Sequence, residues 1–214
     1  SGGVDSTLVL TATNQFLDAH NKKNCLTALH VNHQTQSDSS SWQIHCEKFC
    51  KEHNINFSCK SVEIKESGQG YEAAARSARL DIFNAFDKAS VIILGHHLDD
   101  QVETVFFRVL RGTGLKGLTG MQRHLKIKDK DFIRPLLHLT KEEIFKQTKE
   151  YKLSFIEDQS NTDNAYSRNF LRNEIIPQIS KRWPGAKKNT ARMANLLAKQ
   201  SSCLLYTSDA ADEL

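Results

Sequence analysis

The first six residues, Ser1-Gly2-Gly3-Val4-Asp5-Ser6, place two adjacent glycines among hydroxyl and carboxyl side chains, directly before an apolar pattern of helical period. Glycine allows close backbone approach to a ligand, and a helix that starts near Asp5 or Ser6 directs N–H groups at an anion. Ser1 and Ser6 add hydroxyl donors. The stretch therefore predicts a phosphate pocket made by Ser1, Gly2, Gly3, Val4, Asp5 and Ser6. The stretch is not a P-loop, because no lysine follows the glycines. A plain glycine turn before a helix explains the same residues equally well, because short motifs have a real false-positive risk.

A second group of reactive side chains lies in the run Gly95-His96-His97-Leu98-Asp99-Asp100-Gln101-Val102-Glu103-Thr104. A helix that begins near Asp99 has three carboxylates in its first turn, where acids stabilise the helix by capping. Asp100 and Glu103 share a face because they are three residues apart. Three acids and two histidines exceed the needs of capping. Beside a phosphate pocket the acids need a cation, so we expect Mg²⁺, with Asp5 and Asp99 as ligands.

Two further motifs are basic. The loop from Arg108 to Leu118 contains two arginines, a lysine and three glycines, which suits nucleic-acid or nucleotide phosphate. From 164 to 200, eight basic residues accompany a single acid, Glu174, as expected for a partner such as RNA. Arg168 and Arg172 lie on one face if that part is helical. An ordinary surface loop and a solvated helical face are the alternatives.

The elements that must position these residues alternate between helix and strand. The pattern predicts helices over Ser6–Ala19, Trp42–His53 and Tyr71–Phe86, strands over Cys25–Val31, Ile55–Ile64 and Ser90–Leu94, and a helix over Asp99–Leu110. Such alternation is typical of an α/β fold with a doubly wound, mostly parallel sheet. Ligands of these sheets bind beyond the carboxyl ends of the strands, so we expect Asn32, His33, His96 and His97 at that edge.

The rest of the chain predicts a hairpin over Met121–Leu137 and a helix that begins with a capping box at Thr140 and Glu143. We expect a catalytic domain over 1–180, the start of a helical domain over 181–202, and a non-native tail over 203–214. The chain begins without Met and inside a motif, so we expect a fragment whose first strand is truncated. Composition, with 39% apolar and 25% charged residues, predicts a soluble globular protein. No run of about 18 apolar residues occurs in the sequence, so we expect no membrane span. A cytoplasmic location is expected from the cysteine usage. The five cysteines form no CxxC pair and are expected to be reduced.

The opening stretch resembles the pyrophosphate loop of the N-type ATP pyrophosphatases, or PP-loop family. The four motifs in this order, HHLDDQVET, RGTGLKGL, RPLL and EDQSNTD followed by RN and LRN, resemble the tRNA(Ile)-lysidine synthetase family from Ser1 to about Pro177. Ala28–His33 and Glu72–Arg79 match further segments of that family. The resemblance implies an adenine nucleotide alpha hydrolase-like fold.

The resemblance also implies a reaction. ATP would adenylate the C2 oxygen of the wobble cytidine in tRNA(Ile) with a CAU anticodon, and L-lysine would then displace AMP to form lysidine. ATP and Mg²⁺ are the implied cofactors, and the oligomeric state stays open, a homodimer included. Asp100 or Glu103 would orient or deprotonate lysine, and Arg76 and Arg168 would stabilise phosphate or the activated base.

Two other functions fit parts of the sequence. A tRNA 2-thiocytidine synthetase has the same loop but generally carries CxxC pairs for an iron–sulfur cluster. A non-catalytic nucleotide-binding module would need neither the acidic helix start nor the basic C-terminal run.

Overall fold

The computed structural model describes residues 2–32, 39–62, 71–157 and 162–211, and all their side chains except those of 39–40, 71–73 and 202–211. It divides into two compact units. The first comprises Ser1–Gly95, Lys126–Ile133 and Ile144–Glu157, and the second comprises His96–Leu125, Arg134–Glu143 and Asp158–Leu214. Within the described ranges, no helix has both the length and the apolar character needed to cross a membrane.

Helices and strands follow one another along the chain much as the periodicity predicts. In order they are α1 (Val4–Ala19), β1 (Thr27–Asn32), α2 (Ser39–Glu52), β2 (Asn56–Ser61), α3 (Tyr71–Asn84), β3 (Val91–Ile93), α4 (Leu98–Leu110), α5 (Leu115–Leu118), β4 (His124–Ile127), β5 (Lys130–Ile133), α6 (Lys141–Glu150), α7 (Ser167–Phe170), α8 (Ile176–Arg182) and α9 (Ala186–Ala211). A 3₁₀ turn, Lys23–Cys25, precedes β1, and a π-helical turn, Leu171–Ile175, joins α7 to α8.

The strands of the first unit pair in parallel across helical crossovers, which confirms the predicted α/β class. β1 pairs with β2 from Thr27 opposite Asn56 to Asn32 opposite Ser61. β3 pairs in parallel with β5, and β4 lies on the other side of β5. The predicted single sheet is therefore found as two sheets in the described residues, because β1 and β3 each hydrogen-bond to a different partner and not to one another.

Several boundaries differ from the predicted ones. α1 begins at Val4 rather than Ser6, so the glycines directly precede its first turn. The strand predicted over Cys25–Val31 starts later, at Thr27, because the 3₁₀ turn occupies Lys23–Cys25. The predicted hairpin is confirmed in β4 and β5, and the capping box is confirmed by mutual bonds between Thr140 and Glu143.

Glycine at position 95 lets the end of β3 lie against the beginning of α1. A Cβ atom built on Gly95 would lie 3.0 Å from the carbonyl carbon of Asp5 and 3.1 Å from the backbone nitrogen of Ser6. Backbone atoms cannot yield as a side-chain tip can. The close approach of Gly95 therefore sets where the opening turn sits in the first unit.

The second unit is built around α4. Leu98 and Val102 pack with Leu171 and Ile176 in a buried cluster, which Phe106, Phe107, Ile175 and Ala191 extend. The apolar face of α4 thus holds the π-helical turn and α9 against it.

The four cysteines with described side chains are free, as predicted, and burial raises the pKa of the Cys50 thiol to about 11.

We predict that Gly95→Ala destabilises the chain by about 1–3 kcal/mol, because the added methyl group overlaps the backbone of Asp5. Urea unfolding measures the change. Gly114→Ala is the matched control, since a Cβ there meets nothing within 4 Å and its φ is −81°. Equal stability of the two variants would contradict the role given to Gly95.

Candidate active site

The opening turn is held by hydrogen bonds to its carbonyl groups. The Gly2 carbonyl accepts from the backbone N–H of Ile156 at 2.8 Å and from the Thr7 hydroxyl at 3.4 Å. The Gly3 carbonyl accepts from the backbone N–H of Thr7 and from the Ser6 hydroxyl, both at 3.0 Å. With its carbonyls tied to the protein, the turn is preorganised before any ligand arrives.

Gly2 is also required for space. A Cβ on Gly2 would lie 3.0 Å from Cδ1 of Ile156 and 3.1 Å from Sγ of Cys46. Gly3 is the N-cap of α1, in extended conformation, and among the described residues no side-chain hydrogen bond caps it. A helix start capped by glycine leaves room for an anion at the positive end of the helix dipole.

The predicted phosphate ligands are only partly arranged as expected. Ser1 lies outside the described residues. The Ser6 hydroxyl, expected to donate to phosphate, donates to the Gly3 carbonyl in this structure. Arg76 lies exposed on α3 in the first unit. Asn32 is buried at the end of β1, where its Nδ2 donates to Oε1 of Gln43, and the neighbouring His33 lies outside the described residues.

In the second unit a buried carboxylate meets an arginine. Glu103, 1% exposed, accepts from Nε of Arg172 at 2.6 Å and from Nη2 at 2.9 Å. The same Nη2 lies 3.4 Å from Oδ1 of Asp100. The two bonds between Arg172 and Glu103 match the planar fork of the guanidinium to both carboxylate oxygens, which is the strongest form of such a pair. Arg172 therefore binds both acids that share a face of α4.

Asp99 has different partners. Its Oδ1 accepts from Nζ of Lys187 at 2.5 Å, and its Oδ2 accepts from the backbone N–H of Lys141 at 2.8 Å. Burial alone would raise the pKa of Asp99. The hydrogen bonds from Lys187 and Lys141 outweigh burial, so the pKa lies below its ordinary value. Asp99 is thus a charged residue that ties α4 to the start of α6 and to α9.

Burial dominates at Glu103. It raises the pKa of this carboxyl above its ordinary value, and the bonds from Arg172 only partly oppose it. Asp100 is more open, with 21% of its side chain exposed, and its Oδ2 accepts from the backbone N–H of His97 at 3.0 Å. The buried His97 ring lies 3.7 Å from Oδ2 of Asp99 and 3.5 Å from Oδ2 of Asp100. Of the three acids on α4, Asp100 has the most exposed side chain and Glu103 the least.

The arginine that meets the acids is Arg172, although the predicted catalytic arginines are Arg76 and Arg168. Cζ of Arg168 instead lies 5.5 Å from the ring centroid of Phe107. Glu103 and Phe107 are four residues apart, as are Arg168 and Arg172, so the two arginines meet successive turns of α4. This arrangement is consistent with the expectation that Arg168 and Arg172 share a face. The motif contained Arg172, but only the fold pairs it with Glu103.

The structure changes the argument for a metal. The acids of α4 were expected to need Mg²⁺, yet the cations beside them are Arg172 and Lys187. Asp99 does not fit a metal ligand here because both its oxygens accept hydrogen bonds from the protein. In the part of the chain that the structure describes, no three His, Cys, Asp or Glu side chains are grouped to hold a metal ion.

Comparison with known protein families assigns most of the chain to one family. Residues 1–179 match the family model described as PP-loop domain. The chain therefore belongs to the PP-loop domain family, a family of ATP-binding domains.

Within this family, the chain is similar to curated proteins that all have the same name, tRNA(Ile)-lysidine synthase. The chain is 38% identical over 208 residues to the tRNA(Ile)-lysidine synthase of Histophilus somni (strain 2336), a match that covers 95% of this chain and 48% of that protein. It is 38% identical over 195 residues to the enzyme of the same name from Legionella pneumophila (strain Lens), covering 91% and 44%. The Escherichia coli O157:H7 enzyme is 37% identical over 205 residues, covering 95% and 47%. The chain spans about half the length of the curated relatives it matches.

A solved structure supports the fold. The U34-tRNA thiolase NcsA from Methanococcus maripaludis, with its [4Fe-4S] cluster, superposes with a TM-score of 0.75 at 21% identity. The match covers 92% of this chain and 70% of the thiolase. This likeness confirms the predicted α/β architecture.

We predict that Arg172→Gln destabilises the chain by about 2 kcal/mol, because it leaves the Glu103 carboxylate buried without its cation. The value is below that of a fully buried pair because the Arg172 side chain is 38% exposed. In the double variant Arg172→Gln/Glu103→Gln we expect about 1 kcal/mol to be recovered. Urea unfolding of the double-mutant cycle measures the coupling, with exposed Arg192→Gln as control. Strictly additive effects would contradict the pairing.

Asp99 makes stability depend on pH. Because its pKa is lowered on folding, its contribution is present above the unfolded value of about 4 and is lost as pH falls through the folded value. We predict that Asp99→Asn lowers the free energy of unfolding by about 1–2 kcal/mol at pH 7. The difference from the parent chain should narrow below about pH 4. Urea unfolding between pH 3.5 and 7 tests this, with exposed Asp129→Asn as control, and a pH-independent difference would argue against it.

Proposed function

We propose that this chain carries the ATP-using, catalytic part of a tRNA(Ile)-lysidine synthase. The observation that carries the proposal is identity of 37–38% over at least nine-tenths of the chain to relatives of that name. The substrates would be ATP, L-lysine and tRNA(Ile) with a CAU anticodon. The preorganised turn at Gly2–Ser6 and the acid and arginine cluster on α4 supply chemistry that this reaction needs.

The reaction has two steps. The C2 oxygen of cytidine 34 attacks the α-phosphorus of ATP, a bond forms between them, and the bond to the β-phosphate breaks to release pyrophosphate. The ε-amine of lysine then attacks C2, the C2–O bond breaks, and AMP leaves with its electron pair. The amine loses a proton. Adenylation is needed because an amide-like oxygen is a poor leaving group.

The opening turn would hold the leaving pyrophosphate. Developing negative charge is stabilised best by donors that are already in place, since they need no reorganisation during the reaction. The hydrogen-bonded carbonyls of Gly2 and Gly3 support such a turn, and the positive end of α1 follows it. Arg76 is proposed to contact a phosphate group. Mg²⁺, if bound, would be held by Asp5 and phosphate oxygens and would neutralise charge on the phosphates.

Asp100 is proposed to receive the ε-ammonium group of lysine and to take its proton. It is more exposed than Glu103, and its bond to Arg172 is the longer one, at 3.4 Å against 2.6 Å and 2.9 Å. Glu103 acts through Arg172, whose guanidinium it positions beside Asp100. The division into a catalytic part over 1–180 and the start of a helical part over 181–202 is likewise proposed.

Asp100→Asn tests the proposal. We expect the variant to form lysidine at least about 100-fold more slowly, because an amide takes no proton and attracts no ammonium group. The assay incubates the chain with a tRNA(Ile) transcript, ATP and lysine, and measures the mass of the wobble nucleoside and the nucleotide product. Asp129→Asn, exposed at the tip of the hairpin, is the control.

Release of ADP instead of AMP, or no lysidine from the parent chain, would contradict the proposed function. Normal turnover by Asp100→Asn would contradict only the role given to Asp100. A thiolated nucleoside formed with a sulfur donor would instead indicate a 2-thiocytidine synthetase.

A further inference from the structure

Two arginines of the second unit converge on one aromatic ring. Cζ of Arg111 lies 5.2 Å and Cζ of Arg168 lies 5.5 Å from the ring centroid of Phe107. The ring itself packs against the buried cluster on α4, which fixes its position. Contact with an aromatic face holds a guanidinium by about 0.5–1 kcal/mol at an exposed site and leaves its charge intact. The ring of Phe107 therefore holds the charged guanidinium groups of Arg111 and Arg168 at a fixed position.

A third arginine shapes the adjoining loop. Nη1 of Arg108 donates to the Gly117 carbonyl at 2.9 Å and to the Gly120 carbonyl at 3.0 Å. These bonds fold the glycine-rich loop back onto the end of α4. Burial lowers the pKa of Arg108, and the charge of Arg168 lowers it further. Like charges are thus close enough to repel one another in the folded chain.

The described residues show no acid paired with these arginines or with Lys116 of the adjoining loop. Among the described residues, the recorded ion pairs include none to Arg108, Arg111, Lys116 or Arg168. The acids of the same helix are occupied elsewhere, since Arg172 holds Asp100 and Glu103 while Lys187 holds Asp99. In the part of the chain that the structure describes, these charges are gathered without an acidic partner, which favours a partner that is itself negative.

The loop also borders an open, shallow cavity. Its volume is about 460 Å³, and its lining includes Arg108, Thr113, Lys116 and Thr119. Gly114, Gly117 and Gly120 form another part of the wall, so a ligand can approach the backbone closely. An open cavity bordered by Arg108 and Lys116 can accept a protruding phosphate group.

We infer that Arg108, Arg111, Lys116 and Arg168, the basic cluster, form a docking site for the phosphodiester backbone of RNA. Arg111, Lys116 and Arg168 contact phosphates, and Arg108 positions the loop. The inference rests on the proposed function in taking RNA as the partner. It assigns Arg168 to backbone binding and not to the reacting atoms. Arginine suits this task because its planar fork matches two phosphate oxygens at once.

The test uses the salt dependence of RNA binding. Each phosphate contact contributes about 0.7–0.9 to the slope of log affinity against log salt concentration. We expect Arg111→Gln/Lys116→Gln to lower the slope magnitude by about 1.5 and to weaken binding about equally for RNAs of different sequence. The probe is an unmodified tRNA(Ile) transcript without ATP, titrated at several salt concentrations. A homopolymer RNA serves as the second sequence.

Lys48→Gln/Lys51→Gln is the matched control, since both lysines lie on α2 in the first unit and the charge change is the same. We expect the control to keep the parent slope. Urea unfolding of each variant reports folding, and ATP binding by the basic-cluster variant should match that of the parent chain. Loss of ATP binding with an unchanged RNA slope would overturn the inference and indicate a nucleotide site.

The two proposals fail separately. If the parent chain makes lysidine but the basic-cluster variant keeps the parent salt slope, the inference is wrong and the proposed function stands. If no lysidine forms but the slope falls as expected, the inference stands and the proposed function is wrong. A parent chain that binds no RNA overturns the inference.

Discussion

Burial of the Glu103 carboxylate is the constraint on which the second unit depends. A carboxylate that is 1% exposed is costly unless a cation with matching geometry accompanies it. Arg172 supplies that cation through two hydrogen bonds, and it comes from a segment 69 residues further along the chain. The pairing draws the π-helical turn onto α4, beside the apolar cluster of Leu98, Val102 and Leu171. Charge pairing and apolar packing thus hold the same two segments together.

This pairing divides the basic residues into two sets with different uses. Arg172 and Lys187 neutralise the acids of α4, so the acidic helix start carries its own counter-charges. Arg168, one turn before Arg172, lies over Phe107 and keeps its charge. The wide turn of a π-helix often occurs at functional sites. Here the π-helical turn, Leu171–Ile175, follows Arg168 and contains Arg172. The helical segment from Arg168 to Arg172 therefore contributes one arginine to the acids of α4 and another to the ring of Phe107.

Local patterns were predicted well because their causes are local. The capping box of Thr140 and Glu143 needs only residues three apart, and α4 needs only its own apolar period. Boundaries shifted by one to three residues, in one case because a turn occupies the predicted start of a strand, at Lys23–Cys25. The division of the strands into two sheets was not predicted, because pairing partners are chosen across long separations. The sequence likewise contained Lys187 without any sign that it meets Asp99, 88 positions earlier.

The amino-acid order alone determined the kinds of group available: a glycine turn before a helix, acids at a helix start, and arginines near both. Helical and strand periods, capping and turn chemistry act over a few residues, so they can be read directly. The tertiary structure alone decided the partners of each charge and the close contact of Gly95 with Asp5. Those outcomes depend on which distant segments share a core and on which buried charge must be neutralised. Neither condition is visible within a short stretch of chain.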